Sequence, residues 1–267
     1  MLLRKIMLYI GCSGWSFEDW KGVFYPKEIK KAKMLDFYSG EFNLVEINST
    51  FYRMPNKYAV LAWRKKVSKD FRFTAKIPRE ITHKRLLKDS ESIWREFYSL
   101  MHPLIQAEKL ICFLIQLPPK FSTELVPNLR EFLEFLPKNV NFCVEFRHES
   151  FDEDLSYLDI LREQNVAYCI MDSPKMKPDV RITADFAYIR FHGRNPRWTY
   201  NWLYSLDDLK EWVPKIEKVR KKTKNQYLFF NNHPKGKAIR NAREMKELLG
   251  ILYKKAGTPQ EKLEKWF

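Results

Sequence analysis

Several polar residues in this chain come in pairs two positions apart: Glu46 with Asn48, Glu145 with Arg147, and Arg190 with His192. In an extended strand that spacing puts both side chains on one face, so each pair would aim into a common space. Lys76, Gln116 and Asp172 also end short apolar segments, as do the runs Gly11-Cys12-Ser13-Gly14-Trp15 and Asn231-Asn232-His233. Glu46 and Glu145 suit acid–base work, because apolar walls and neighbouring cations tune a carboxylate in either direction. His192 and Asp172 complete the catalytic candidates. Lys76, Arg147 and Arg190 would hold an anion, while Asn48, Gln116 and Asn231 would orient a substrate by hydrogen bonds. On this reading Glu145→Gln lowers activity roughly 100-fold with little change in stability. The competing reading is a buried ion-pair network, with Glu145 bound to Arg147, that closes one end of the fold and is a weak stability device.

Two further runs carry anion-binding chemistry. Arg194, Arg197 and Trp198 sit in RNPRWTYNW, which interleaves guanidinium and aromatic groups as phosphate grips and base-stacking platforms do. HPKGK, 233–237, leads into a helix start, a usual phosphate cradle. Trp15 and the aromatics after it form a hydrophobic flap, or Trp15 walls the pocket. The sequence requires no cofactor. A divalent metal would find ligands in Glu46, Glu145, Asp172, His192 and His233, although no HxH, HExxH or DxD element is present.

Such residues need a scaffold that brings distant strand ends together. Segments 8–11, 44–47, 71–76, 111–116, 142–146, 167–171, 187–191 and 227–230 read as strands, being short and rich in β-branched and aromatic residues. Between them, 57–69, 90–106, 124–136, 155–164, 206–222 and 238–254 have apolar residues at helical spacing. The run after the sixth strand, DSPKMKPDVRITADF, contains two prolines and reads as irregular. Eight strands alternating with helices predict an α/β fold, a parallel eight-stranded (β/α)8 TIM barrel in one domain over 1–267, with a doubly wound sheet second. The tail 257–267 either caps the barrel with a short helix or frays.

Composition limits the class. Hydrophobic residues make up 45% and aromatics 15%, enough for a sizeable core and against disorder. The four cysteines form no CxxC pair, which argues against a zinc ribbon or disulfide framework. No run approaches the roughly 18 apolar residues of a membrane span, so no membrane partner is expected. The apolar stretch at the start is too short for a secretion signal, and a cytoplasmic protein is the expectation. The net charge of +15 favours polyanions and acidic small molecules. It is equally the signature of a thermophile's surface of solvated ion pairs.

The strings IGCSGWSFEDWKGVFYP, LVEINSTFYRMP, FTAKIP, FLIQLPPKF, CVEFRHESF, YIRFHGR and LFFNNHPKGKAIRNA resemble, in order, the motifs of the YecE-like family, domain of unknown function 72. The resemblance implies a TIM barrel with a polar pocket around Glu46, Glu145, Arg147, His192 and Asn231, and supplies no reaction. Residue chemistry then favours a hydrolase or lyase acting on a phosphate-containing substrate, first a nucleic acid phosphodiester (DNA or RNA). The alternatives are a sugar or sugar-phosphate isomerase, or a non-catalytic binder of nucleic acid or metabolite. A basic groove beyond the pocket would favour nucleic acid, and an enclosed pocket a metabolite.

Overall fold

All eight expected segments form strands: β1 Met7–Cys12, β2 Leu44–Ile47, β3 Arg72–Lys76, β4 Leu110–Gln116, β5 Asn141–Glu145, β6 Ala167–Asp172, β7 Phe186–Phe191 and β8 Asn225–Phe230. The computed structural model describes residues 7–174 and 179–253; the tail 257–267 lies outside them, as does part of the run after β6. Every strand is parallel to its neighbours, and β8 pairs with β1 to close a barrel in chain order. This is the (β/α)8 arrangement, with helices between successive strands.

The helical periodicity maps onto Lys57–Lys66, Glu91–Gln106, Val126–Glu134, Tyr157–Glu163 and Lys237–Leu248. Asn56 starts the first of these by accepting a hydrogen bond from the Ala59 amide at 2.8 Å. Segment 206–222 divides into Leu206–Lys210 and Val213–Arg220, with Pro214 in the opening turn of the second, where its missing N–H costs nothing. Between β6 and β7 the described residues hold no helix, in line with the irregular connection expected there. Met34–Ser39, between β1 and β2, escapes the sequence reading because six residues are too few for periodicity to show.

Alternation divides each strand between two environments. Ile10, Val45, Phe73, Phe113, Val144, Ile170, Ile189 and Leu228 face outward and share one apolar cluster with the helices. Leu44, Leu114, Cys143, Cys169, Tyr188 and Phe229 face inward and fill the barrel axis. All four cysteines are free and buried. The β1–β2 seam approaches so closely that a Cβ on Gly11 would lie 2.0 Å from the Leu44 carbonyl oxygen. There the Tyr38 hydroxyl stitches the two strands, accepting from the Cys12 amide at 2.8 Å and donating to the Leu44 carbonyl at 2.9 Å. Among the described residues no helix is long and apolar enough to cross a membrane.

Candidate active site

Above the apolar filling, the inward positions at the strand carboxyl ends become polar, and they hydrogen-bond in a continuous chain across the barrel. Thr74 of β3 meets the Tyr188 hydroxyl of β7 at 2.9 Å, and Tyr188 donates to Glu46 Oε2 of β2 at 2.5 Å. Arg190, two residues beyond Tyr188 on the same face, spans the axis: Nη2 donates to Glu46 Oε1 at 2.6 Å and Nη1 to Glu145 Oε2. Arg147 grips the other oxygen of Glu145 through Nε at 2.8 Å and Nη2 at 2.7 Å. Cys169 Sγ lies 3.8 Å from Glu145 Oε2. Glu46, Glu145 and Arg190 are all buried.

Burial would raise the Glu145 pKa, but Arg190 and then Arg147 outweigh it and hold the carboxyl well below the usual range. A carboxylate so firmly ionised is a poor proton donor and a weak base, so Glu145 acts as an electrostatic anchor. Arg190 commits both terminal nitrogens to carboxylates, which leaves it no fork for a substrate phosphate.

Lys76 differs. Its side chain, 9% exposed, donates to Gln116 Oε1 and lies 3.6 Å from the centre of the Phe51 ring. Burial, followed by the charge of Arg190, lowers its pKa from 10.5 to about 7, against the opposing pull of Glu145 and Glu46. At neutral pH a large fraction of this amine is unprotonated, the condition for a base or nucleophile. The helix Ser49–Tyr52, directly after β2, carries Phe51 over the amine, and Thr50 Oγ1 fixes the turn at 2.6 Å from the Lys76 carbonyl oxygen.

The other side of the mouth is neutral. His192 Nδ1 lies 3.0 Å from Asn231 Nδ2; with the amide in that orientation Nδ1 accepts, so Nε2 carries the hydrogen. Burial lowers the His192 pKa to about 4, so the ring is neutral. Its Nε2, 3.5 Å from Glu145 Oε2, forms no hydrogen bond within the protein, and neither do Ser13 Oγ just beyond β1 or Asn48 Oδ1 just beyond β2. Asn48 Nδ2 donates to the Ser13 carbonyl at 3.3 Å.

Three residues of the connections between strands, which sequence reasoning passed over, line this space. Tyr200 interacts with Arg147, its ring 5.7 Å from that of His192 and 6.2 Å from that of His233. His83 packs edge-on against Phe51 at 4.8 Å and has its pKa lowered to about 4 by burial, then by Lys76 and Arg147. Phe51 is the third. None carries a sequence signal, because short helical turns and a loop place them. Tyr188 and Thr74 were findable, since each lies two residues before a candidate on the same strand face.

Asp172 does not join the mouth. On β6 the inward positions are Cys169 and Met171, so Asp172 faces outward, where Trp212 Nε1 donates to it at 2.6 Å and Arg194 Nη2 at 2.9 Å. Arg194 also binds Asp208 at 2.8 Å and Glu211 at 2.9 Å, so it locks its own loop and is not a free phosphate ligand. In the turn after β8 the Lys235 amide donates to the Asp19 carboxylate at 2.6 Å, and Lys237 binds Asn201. Trp15 packs edge-on against Trp63 at 5.9 Å and Phe73 at 6.5 Å, against the apolar layer between strands and helices. His233 stacks on Phe17 at 4.7 Å. Arg197 and Trp198 are exposed, Trp198 by 59%. Among the described residues no three or more His, Cys, Asp or Glu side chains are grouped to hold a metal ion, so the five candidate ligands do not form one centre.

The model of a family described as protein of unknown function DUF72 matches residues 9–265. The chain is 29% identical to the UPF0759 protein YecE of Escherichia coli over 84% of this chain and 86% of that one. It is 28% identical to the UPF0759 protein YunF of Bacillus subtilis over 92% and 96% respectively. A crystal structure of a DUF72 family protein from Thermotoga maritima shares 35% identity and superposes with a TM-score of 0.84, covering 91% of this chain and 99% of that one. The likeness therefore runs through the whole barrel and the strands that carry Glu46, Lys76, Glu145 and His192, and the chain belongs to the DUF72 family.

Proposed function

We propose that this protein is an acid–base enzyme of the lyase or isomerase type, acting on a small, hydroxyl-bearing substrate with a phosphate or carboxylate group, and that Lys76 moves the proton. The observation that carries this reading is Lys76, a buried amine poised near neutrality at the barrel mouth. The division of the mouth supports the substrate class. Arg147 offers positive charge to an anionic group, and Ser13, Asn48, His192 and Asn231 offer neutral donors and acceptors to hydroxyls. Glu46 and Glu145 keep this layer close to neutral overall by pairing with Arg190 and Arg147.

Cleavage of a nucleic acid phosphodiester has less support. The two loops that would track a polynucleotide spend Arg194, Lys237 and the Lys235 amide on internal partners, leaving Arg197, Trp198 and the exposed Lys235 side chain. The test is solvent-deuterium incorporation, followed by NMR, into a panel of sugar phosphates and hydroxy acids. Wild type should exchange at least one substrate, and Lys76→Met should slow that exchange roughly 100-fold or more. Arg197→Ala and Trp198→Ala should leave it unchanged. Exchange insensitive to Lys76, or oligonucleotide cleavage lost on Trp198→Ala, would overturn the reading in favour of the nuclease alternative.

A further inference from the structure

The described residues contain three buried lysines, and Lys76 is the one among them that stands at the barrel mouth. Lys109 donates to the carbonyl oxygens of Arg64, Val67 and Ser68, capping the end of the Lys57–Lys66 helix. Lys246 lies over the Phe42 and Tyr253 rings, beside the Glu41 carbonyl, and burial lowers its pKa too, to about 8, but it packs against the residues that precede β2, at the end of the barrel away from the mouth. Lys76 has one hydrogen bond, to Gln116, and one aromatic face. It lies near two carboxylates yet forms no ion pair with either. Each of their four oxygens already has a donor: Arg190 and Tyr188 for Glu46, Arg147 and Arg190 for Glu145. The charged groups acting on Lys76 are therefore Arg190, Arg147, Glu145 and Glu46, with neutral His83 beside it.

We propose that Lys76 is a covalent nucleophile that condenses with an aldehyde or ketone carbonyl of the substrate to form an imine. This deepens the proposed function and rests on it. The nitrogen lone pair attacks the carbonyl carbon, the π pair moves to oxygen, and oxygen takes up a proton as nitrogen gives one up. The carbinolamine then expels that oxygen as water while C=N forms. Amine and carbonyl thus become imine and water, with no change of oxidation state and protons exchanged with solvent. Protonated, the imine withdraws electrons from the adjacent carbon, which lets a C–H or C–C bond there break. Phe51 on one face of the amine restricts water near it, and the arginines disfavour its ammonium form without consuming its lone pair.

The experiment is reductive trapping. The intact protein is incubated with pyruvate, glycolaldehyde phosphate or dihydroxyacetone phosphate and sodium borohydride, then weighed by mass spectrometry and mapped by peptide. Hydride reduces the imine to a stable secondary amine, and the adduct should sit on Lys76. An unprotonated fraction near one half, against roughly one in a thousand for an exposed lysine, should make trapping there at least 30-fold faster at pH 7, after allowing for the weaker nucleophilicity of a less basic amine. Lys76→Arg should abolish the adduct. The wild-type peptide map locates the label whether or not that variant folds. Label spread over exposed lysines, with Lys76 unmodified by all three carbonyl compounds, would overturn the imine. If solvent-deuterium exchange still depends on Lys76, the acid–base reading survives that failure; if exchange fails as well, both fall.

Discussion

Lys76→Met should make this protein more stable while removing its reactive amine, and the gain should depend on pH. The unfolded chain holds its lysine proton until about pH 10.4, whereas folded Lys76 releases it near 7. Between those values the unfolded state binds one more proton than the native state, so this residue makes stability rise with pH across that window. Below pH 7 the folded protein carries a buried ammonium at its full penalty, about 5 kcal/mol at 1.36 kcal/mol per pH unit. Methionine fills a similar volume and carries no charge, but strips Gln116 Oε1 of its donor, which costs about 1–3 kcal/mol. The net gain is then about 2–4 kcal/mol at pH 6, or roughly 4–8 °C in Tm at about 2 °C per kcal/mol for a chain this long. It should vanish between about pH 8 and pH 10 and then reverse to a loss of about 1–3 kcal/mol, because the wild-type penalty has gone while the unpaired Gln116 remains. Calorimetry of wild type and variant at pH 6, 8 and 10 reads the difference directly. A variant less stable at every pH, or one whose gain does not change with pH, would refute the reasoning and make Lys76 a fully protonated structural cation.

Glu145→Gln should destabilise the fold by about 3–5 kcal/mol in chemical denaturation, because it leaves Arg190 and Arg147 with an uncompensated buried charge. That replaces the sequence-based expectation of little change in stability, and a variant as stable as wild type would dispute the arginine pairing. Cooling of stability below neutrality should be traceable to His192: between pH 6.5 and about 4 the unfolded ring takes a proton that the native ring refuses, so stability falls with pH by up to about 3 kcal/mol, and His192→Gln should flatten that fall in urea titrations. Gly193→Ala should cost about 2 kcal/mol or more and disturb Tyr200, since Gly193 has φ +98° and an added Cβ would lie 2.3 Å from the Thr199 carbonyl oxygen; near-UV circular dichroism and thermal melts check it. Tyr200→Phe should slow substrate exchange about 10-fold through loss of the hydroxyl beside Arg147 while stability changes by under about 0.5 kcal/mol; an equal loss of both would make Tyr200 a packing residue.

The sequence by itself determined the barrel and most of the mouth. Strand and helix rhythm is local, and a two-residue alternation next to strand ends is enough to group Glu46 with Asn48, Glu145 with Arg147 and Arg190 with His192. What it could not determine is which face is inward on a strand that is apolar on both, as β6 is with Tyr168, Cys169, Ile170 and Met171. That parity sends Asp172 outward to Trp212 and Arg194, and with it removes the anion-binding role read into Arg194. Tertiary structure alone also decided how the charges pair. Three cations and two carboxylates of similar type converge on the same few ångströms, and only their distances give both carboxylates to arginines and leave Lys76 unpaired. Electrostatic energy and desolvation depend on separation and burial, neither of which residue type records, so the group best suited to the chemistry could be named only once the barrel had closed.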